Sequence, residues 1–358
     1  MRINIYQIDG DKDTNRVKFD SYRRTLENGG VNPAIYKCVF HGDVEGDLED
    51  VYTLFNFPEH PGTYQGHSLS VSDVIEVIGN SDKVEEGRYF VDSVGFKKVD
   101  FDSSQCAEME GKIIAVWGSP HSGKTTFATK LATAIYSSFE STVITVYTDL
   151  ETPVIPVLFP FDKTEDIGSV GYPLSKTEVE QGDIINNLVT VKDMQNFGFL
   201  GYKTGENKYT YPKFGRAKAE DLLTELCRLA DYVIVDCTSN LDGNVIAQTA
   251  IEKADQILRL SSPDLQSISF FLSQLPVYGD SKFRLDDHIV GLNTPNVDVF
   301  MPIEEAKTQL GEVSFTVPFS AQVKEQMQQG KLHVKTSDKR FEARMQDIAS
   351  KVVAYGTD

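Results

Sequence analysis

The sequence has no long apolar run, no cysteine cluster and no excess of basic charge. None of its apolar stretches approaches the roughly 18 residues of a membrane span. Its four cysteines form no CxxC pair or Cys/His cluster, so we expect neither disulfides nor a metal site of that kind. Its net charge of -18 works against contact with phosphate backbones, and we expect no nucleic-acid partner. The start lacks the features of a signal peptide, which predicts a cytoplasmic protein.

What the sequence does contain is typical of a globular protein with two domains. It has 358 residues, of which 40% are hydrophobic and 25% charged. We predict a small α+β domain at 1–104, a linker at 105–110 and a larger α/β domain at 111–358. In the small domain, strands are expected at 2–9 and 36–40, with a helix at 15–26 between them.

Buried-strand patterns alternate with helical patterns in the larger domain. Three nearly continuous apolar runs lie at 112–117, 143–147 and 232–235, and a helix is expected from Lys124 to about Ser138. This alternation predicts a doubly wound, mostly parallel sheet. Ligands of such sheets bind beyond the carboxyl ends of the strands, where the polar motifs of this sequence fall.

A glycine-rich loop follows the first of these runs and fits the pattern GxxxxGK[ST]. Glycines let backbone N–H groups surround a β-phosphate, and the following helix adds partial positive charge. Lys124 would neutralise phosphate oxygens, and Thr125 would coordinate Mg²⁺. We therefore predict an ATP and Mg²⁺ site. The residues expected to bind the nucleotide here are Gly118, Ser119, Pro120, His121, Ser122, Gly123, Lys124, Thr125 and Thr126.

Acidic residues end the two other apolar runs. Asp236 would hold the Mg²⁺ shell together with Thr125, as a Walker B aspartate does. Asp149 and Glu151, two positions apart in extended chain, would point to the same side; with Lys124 they are the predicted catalytic residues, one of them positioning the attacking water. A solvated acidic loop is the alternative for this pair.

These motifs together resemble the ParA/MinD group of P-loop ATPases over residues 111–353. The resemblance implies that Asn293, in Gly291-Leu-Asn, contacts the base and that Pro318, in Val317-Pro-Phe-Ser, lies near the nucleotide. It also implies a protein partner, a nucleotide-dependent homodimer and slow ATP hydrolysis. The segment 200–207 is most similar to the TadZ/CpaE-like localisation ATPases.

One position departs from that group. Its signature lysine, the second residue of the loop, reaches across a dimer to the partner's phosphates, and here that residue is Ser119. A serine cannot supply this charge. Whether the protein hydrolyses ATP and forms this dimer therefore stays open, unless another basic residue supplies the charge of the signature lysine.

The first 104 residues resemble the YodL-like domain of proteins from plasmids and conjugative elements. The matching strings lie at 60–62, 66–75 and 89–96. His67 and Asp73 could be a catalytic pair, although a capping cluster with a structural histidine explains them as well.

The end of the chain predicts an amphipathic helix with basic flanks. Its apolar residues recur at helical spacing, at Phe341, Met345, Ile348 and Val352. Such a helix could lie on a membrane, but we expect it to dock on the sheet, without membrane contact.

Three functions fit these observations. The first is an ATP-driven switch in positioning or partitioning, and the second is a nucleotide-binding scaffold with hardly any turnover, suggested by Ser119. The third is a small-molecule kinase, which would need convergent basic residues such as Lys203, Lys208, Lys213 and Arg216.

Overall fold

The computed structural model describes residues 1–57, 61, 64, 66–78, 83–107, 111–139, 141–160, 167–192, 194–294 and 303–354. The chain divides into two compact units, Met1–Glu110 with Val353–Asp358, and Gly111–Val352. Among the sequence predictions, linker positions 108–110, positions 60 and 62 of the first matching string and positions 355–358 lie outside the described residues.

The smaller unit is built on an antiparallel sheet. Its strands and helices are β1 Arg2–Ile8, α1 Tyr22–Glu27, β2 Tyr36–Asp43, α2 Leu48–Leu54, β3 Val74–Ile78, β4 Gly87–Val91 and β5 Phe96–Lys98. The sheet order is β2-β1-β3-β4-β5 among the described residues. Strand β1 lies between β2 and β3, and its Ile3, Ile5 and Ile8 are almost fully buried.

The helix predicted at 15–26 is wrong in its first half, because α1 begins only at Tyr22. The carboxylate of Asp13 accepts hydrogen bonds from the backbone N–H groups of Val17 and Lys18, at 3.0 and 2.9 Å. Arg16 and Phe19 have positive φ angles of 54° and 69°. A side chain that bonds the following backbone holds these residues in turns instead of a helix.

The chain from Gly111 onward alternates strands and helices. They are β6 Lys112–Gly118, α3 Lys124–Phe139, β7 Val143–Tyr147, α4 Ile155–Leu158, α5 Gly171–Ser175, α6 Gln181–Asn187, β8 Val189–Val191, β9 Met194–Gly201, α7 Arg216–Leu229, β10 Tyr232–Asp236, α8 Val245–Lys253, β11 Gln256–Ser261, α9 Leu265–Gln274, β12 Ile289–Asn293, α10 Ile303–Leu310, β13 Phe315–Val317, α11 Ala321–Gln328 and α12 Lys339–Ala354.

These strands form one large sheet in the described part of the chain, with the order β13-β12-β11-β6-β10-β7-β9-β8. Every neighbouring pair is parallel except β8 with β9. The predicted fold class is therefore confirmed. Strand β6 lies between β10 and β11, and all residues of β7 and β10 are buried. The loops after β6, β7 and β10 consequently meet at one edge of the sheet.

The single tryptophan fixes the end of β6. Trp117 is fully buried, and its ring packs edge-on against Phe271 and Tyr278. Its Nε1 donates to the backbone oxygen of Ser239, 2.9 Å away, in the loop after β10. This bond ties the carboxyl end of β6 to the loop after β10.

Helix α12 docks its apolar face, as expected. Phe341, Met345, Ile348 and Val352 are each at most 4% exposed. The Nε of Arg344 donates to Thr316 O of β13, 2.9 Å away. None of the described helices combines the length and the apolar character that a membrane crossing requires.

Candidate nucleotide-binding site

The loop between β6 and α3 is shaped by its two glycines. A Cβ atom on Gly118 would lie 1.9 Å from the carbonyl oxygen of Leu260 on β11, so only glycine fits there. Gly123 has a φ of +81°, which a side chain would strain. His121 has a φ of 59°, in the left-handed region that few residues other than glycine adopt. The loop therefore holds a conformation that its local sequence only partly favours.

Lys124 is held inside this loop. Its Nζ donates to the carbonyl oxygen of Ser119 at 2.9 Å and to the hydroxyl of Ser239 at 2.6 Å. Burial lowers the pKa of its ammonium, while the charge of Asp236 acts in the opposite direction. An ammonium that has neutral acceptors only can exchange them for phosphate oxygens at little cost. The sequence did not reveal Ser239, although it follows Asp236 by three residues.

Thr125 and Asp236, the two predicted metal ligands, are in direct contact, and their role toward a metal stays a prediction. The Thr125 hydroxyl donates to Oδ2 of Asp236 at 2.6 Å. The other carboxylate oxygen, Oδ1, is buried and has no hydrogen-bond partner in the described part of the chain. Burial is the main reason why the pKa of Asp236 rises to about 6. A hydroxyl next to a carboxylate with an unsatisfied oxygen is a donor set that suits Mg²⁺, so these residues fit the ion.

Asp149 and Glu151 lie near this pair, but the extended spacing expected for them is wrong. The Asp149 carboxylate accepts hydrogen bonds from the backbone N–H groups of Glu151 and Thr152, both at 2.9 Å. This is an aspartate-capped turn, since the side chain bonds its own following backbone. Both carboxylates still line one cleft of about 1100 Å³, together with Pro120 and His121. Their proposed catalytic roles stay a prediction.

Asn293 and Pro318 line a different pocket, on the other side of the loop. It measures about 330 Å³ and is bounded by Gly123 and Thr126 as well as by apolar residues. The amide nitrogen of Asn293 donates to Ser122 O at 2.9 Å, so this residue also braces the glycine-rich loop. An apolar pocket with a few polar groups is the kind of site that takes a purine ring.

Ser119 faces neither pocket. Its side chain is fully buried, and its Oγ is 2.9 Å from the hydroxyl of Ser267 on α9. Ser267 is itself fixed, because its backbone N–H bonds the Asp264 carboxylate at 2.7 Å. The position that carries the group's signature lysine therefore points into the protein. The sequence alone shows that this charge is missing, but it does not show that the side chain at position 119 points inward.

The four basic residues considered for a kinase acceptor site do not all converge on one site. Lys203 Nζ contacts the carbonyl oxygen of Ile167, and Arg216 forms ion pairs with Glu220 and Glu252. Lys208 and Lys213 line a neighbouring cavity of about 390 Å³, and Lys208 also lines the cleft beside the glycine-rich loop.

His67 and Asp73 belong to a partly buried network in the smaller unit. Gln7 Nε2 lies 2.9 Å from Oδ2 of Asp73 and 3.2 Å from Nδ1 of His67. Oδ2 of Asp73 also accepts the backbone N–H of Ser70 at 2.7 Å, which is a capping contact. Burial raises the pKa of Asp73 to about 8. Gln7 between the two side chains favours the structural interpretation.

The two units resemble different known proteins. A family model described as YodL-like domain matches residues 2–101. No curated protein matches the chain. Solved structures of nucleotide-binding ATPases match the larger unit. Because their sequence identity to this chain is low, the similarity shows a shared fold only.

Three of these structures show the type of fold. They are the cell division ATPase MinD of Pyrococcus furiosus (18% identity, TM-score 0.53, 68% of this chain and 98% of that one), MinD of Pyrococcus horikoshii with Mg-ADP (17%, 0.53, 69% and 98%) and a ParA family ATPase of Chlorobium tepidum (15%, 0.54, 67% and 98%). The larger unit thus has a P-loop ATPase fold. More narrowly, it is the MinD/ParA fold, and it follows a region that matches the YodL-like family model. The TadZ/CpaE-like assignment stays a prediction.

Proposed function

We propose that the larger unit binds Mg-ATP and acts as a nucleotide-dependent switch. The observation that carries this proposal is the contact of Thr125 with Asp236, whose second carboxylate oxygen is buried without a partner. This pair lies beside Lys124 at the carboxyl ends of two central strands. A bound Mg²⁺ would supply charge neutralisation for the phosphates and for the orphaned oxygen.

The two pockets on either side of the glycine-rich loop support this proposal. The pocket with Asn293 and Pro318 is about 330 Å³ and has the size and composition for a base. The cleft with Asp149 and Glu151 lies on the opposite side, where the terminal phosphate would extend. Nucleotide binding would order the loops after β7 and β10, which are already tied because Thr148 Oγ1 donates to Asp236 O at 2.9 Å.

The structural neighbours suggest a biological role for such a switch. One of them is MinD of Aquifex aeolicus, solved as a complex with MinC. We infer that this chain also recruits a protein partner, in the positioning or partitioning of a complex. A slow ATPase activity, a nucleotide-dependent homodimer, a cytoplasmic location and an origin on a mobile element belong to the same proposal.

Nucleotide binding tests the proposal directly. Isothermal titration with Mg-ATP should show binding by the wild type and a loss of at least about 100-fold for Lys124→Ala, because the phosphates lose their buried counter-charge. Lys192→Ala, which removes an exposed lysine elsewhere in this unit, is the matched control and should bind like the wild type. Equal affinities of the wild type and Lys124→Ala would refute an ATP site at this loop.

A scaffold with hardly any turnover is the second candidate, favoured by the inward direction of Ser119. A phosphate-release assay separates the two. Release above that of Lys124→Ala supports the switch, whereas tight Mg-ATP binding with release at the level of this control supports the scaffold.

A further inference from the structure

The cleft beside the glycine-rich loop has three walls that belong to the proposed ATP site. They come from the loop itself (Pro120, His121), from the turn after β7 (Asp149, Glu151) and from the segment after β10, which includes Ser239. The base pocket lies on the far side of the same loop. The end of the nucleotide that enters this cleft is therefore the terminal phosphate.

A fourth wall comes from the segment after β9. Residues 206–209 line the cleft opposite the glycine-rich loop. The acidic residues along the cleft are Asp149, Glu151, Glu206 and Asp242, so its described lining is strongly acidic. Lys208 is the one lysine or arginine in that lining. A terminal phosphate in this cleft needs a positive counter-charge beyond Lys124 and the metal ion, since the surrounding carboxylates repel it.

The segment that carries Lys208 is fixed by a buried carboxylate. Glu206 is 8% exposed, and its Oε2 accepts hydrogen bonds from Ser169 Oγ at 2.6 Å and from the backbone N–H of Lys203 at 2.9 Å. Its Oε1 accepts the hydroxyl of Tyr211 at 2.5 Å. One side chain thus ties both ends of residues 203–211 to the body of the unit.

A tight turn presents Lys208 at the tip of this segment. The side chain of Asn207 accepts the backbone N–H of Tyr209 at 3.0 Å, and its backbone oxygen accepts that of Thr210 at 2.8 Å. Lys208 is exposed, and its Nζ lies 5.2 Å from the centroid of the Tyr209 ring. It forms no ion pair or hydrogen bond within the described residues. The turn therefore holds a lysine at the cleft without a competing acidic partner.

We propose that Lys208 contacts the terminal phosphate of the nucleotide bound by its own subunit, and so supplies in cis the charge that Ser119 does not provide. This inference rests on the proposed ATP site. Lys208 is then a specificity-determining residue: it favours ATP over ADP, because only ATP carries the phosphate that reaches it. Lys124 serves both nucleotides, since it contacts the β-phosphate as well.

The test is the affinity of the full chain for two probes, Mg-AMPPNP and Mg-ADP, measured by isothermal titration calorimetry. Lys208→Ala should weaken AMPPNP about tenfold, as expected for one partly solvated charge pair, and change ADP less than about twofold. Lys208→Arg should keep most of the preference. Lys213→Ala is the matched control, since this exposed lysine also follows β9 and lines the neighbouring cavity but not the cleft beside the glycine-rich loop.

The outcomes separate this inference from the proposed function. If the wild type binds neither probe, the ATP site itself fails. If the wild type binds both probes and Lys124→Ala does not, the ATP site stands. The role of Lys208 is then overturned if Lys208→Ala loses affinity for both probes equally or for neither. It is also overturned if Lys213→Ala shows the same change in affinity as Lys208→Ala.

Protein concentration decides whether the contact is made in cis. The titrations are repeated at a concentration at which light scattering shows a monomer with AMPPNP bound. A loss of AMPPNP affinity in Lys208→Ala under this condition supports a contact within one subunit. A loss that occurs only with the dimer overturns it.

Discussion

Replacing the buried carboxylate of Asp236 should stabilise the protein in the absence of ligand. Its pKa of about 6 lies about two units above that of an aspartate in an unfolded chain, mainly because of burial. At pH 7.5 the ionised group therefore costs about 3 kcal/mol. Asp236→Asn keeps an oxygen for the Thr125 hydroxyl and removes the charge. Burying the amide N–H groups of the asparagine costs about 1–2 kcal/mol, so the variant gains a net stability of about 1–2 kcal/mol.

The same substitution should abolish stabilisation by Mg-ATP. A ligand at about 100 times its Kd adds about 2.7 kcal/mol to the free energy of unfolding of the wild type. The variant lacks the anionic oxygen for the metal and should gain much less. Urea unfolding of both proteins at pH 7.5, in EDTA and in Mg-ATP, measures all four values.

The pH dependence adds a further check in EDTA. A raised pKa in the folded state means that the penalty is absent below about pH 4 and grows as the pH rises to about 6. The advantage of Asp236→Asn should therefore shrink as the pH falls from 7.5 to 4. The reasoning is refuted if the variant is less stable than the wild type in EDTA, or if Mg-ATP stabilises both proteins equally.

Three further substitutions test the packing around the site by urea unfolding. Gly118→Ala should lower the free energy of unfolding by about 3 kcal/mol or more, because its Cβ would lie 1.9 Å from a backbone oxygen. Gly182→Ala is the control, because its Cβ would have open space and should cost nothing. Equal effects of the two substitutions would contradict the geometry. Asp264→Ala removes the cap on Ser267 N and should cost about 1 kcal/mol; an unchanged midpoint would argue against the cap. Burial lowers the pKa of His288 to about 4, so the folded state loses stability as the pH falls below 6.5. Between pH 7.5 and 5 the free energy of unfolding of the wild type should fall by about 2 kcal/mol more than that of His288→Gln. Parallel pH profiles of the two proteins would refute this.

The features that could be predicted from the sequence are those encoded locally. The apolar runs that became β6, β7 and β10 are continuous because both faces of a central parallel strand are buried. The loop pattern and Asp236 each follow directly after such a run, so their meeting at one sheet edge follows from the topology. The contact between Thr125 and Asp236 could thus be expected although 111 residues separate them.

The features that could not be predicted depend on side-chain direction and on distant packing. Nothing near Ser119 in sequence indicates that its hydroxyl meets Ser267, 148 residues later. The turn at Asp149 is the reverse case, because a local hydrogen bond overrides the extended spacing that periodicity implies. Lys208 was visible as a basic residue, but only the anchoring of its segment by Glu206 brings it to the cleft.

The inward hydroxyl of Ser119 also limits how this protein can change in evolution. A lysine at position 119 would place a long cationic side chain where Ser119 now meets Ser267 in fully buried space. Burying that charge without a partner would cost several kcal/mol. A single substitution therefore would not restore a lysine that reaches across a dimer, because α9 would have to change with it. On the proposed role of Lys208 at the terminal phosphate, loss of that lysine cannot be repaired by a substitution of Ser119 alone.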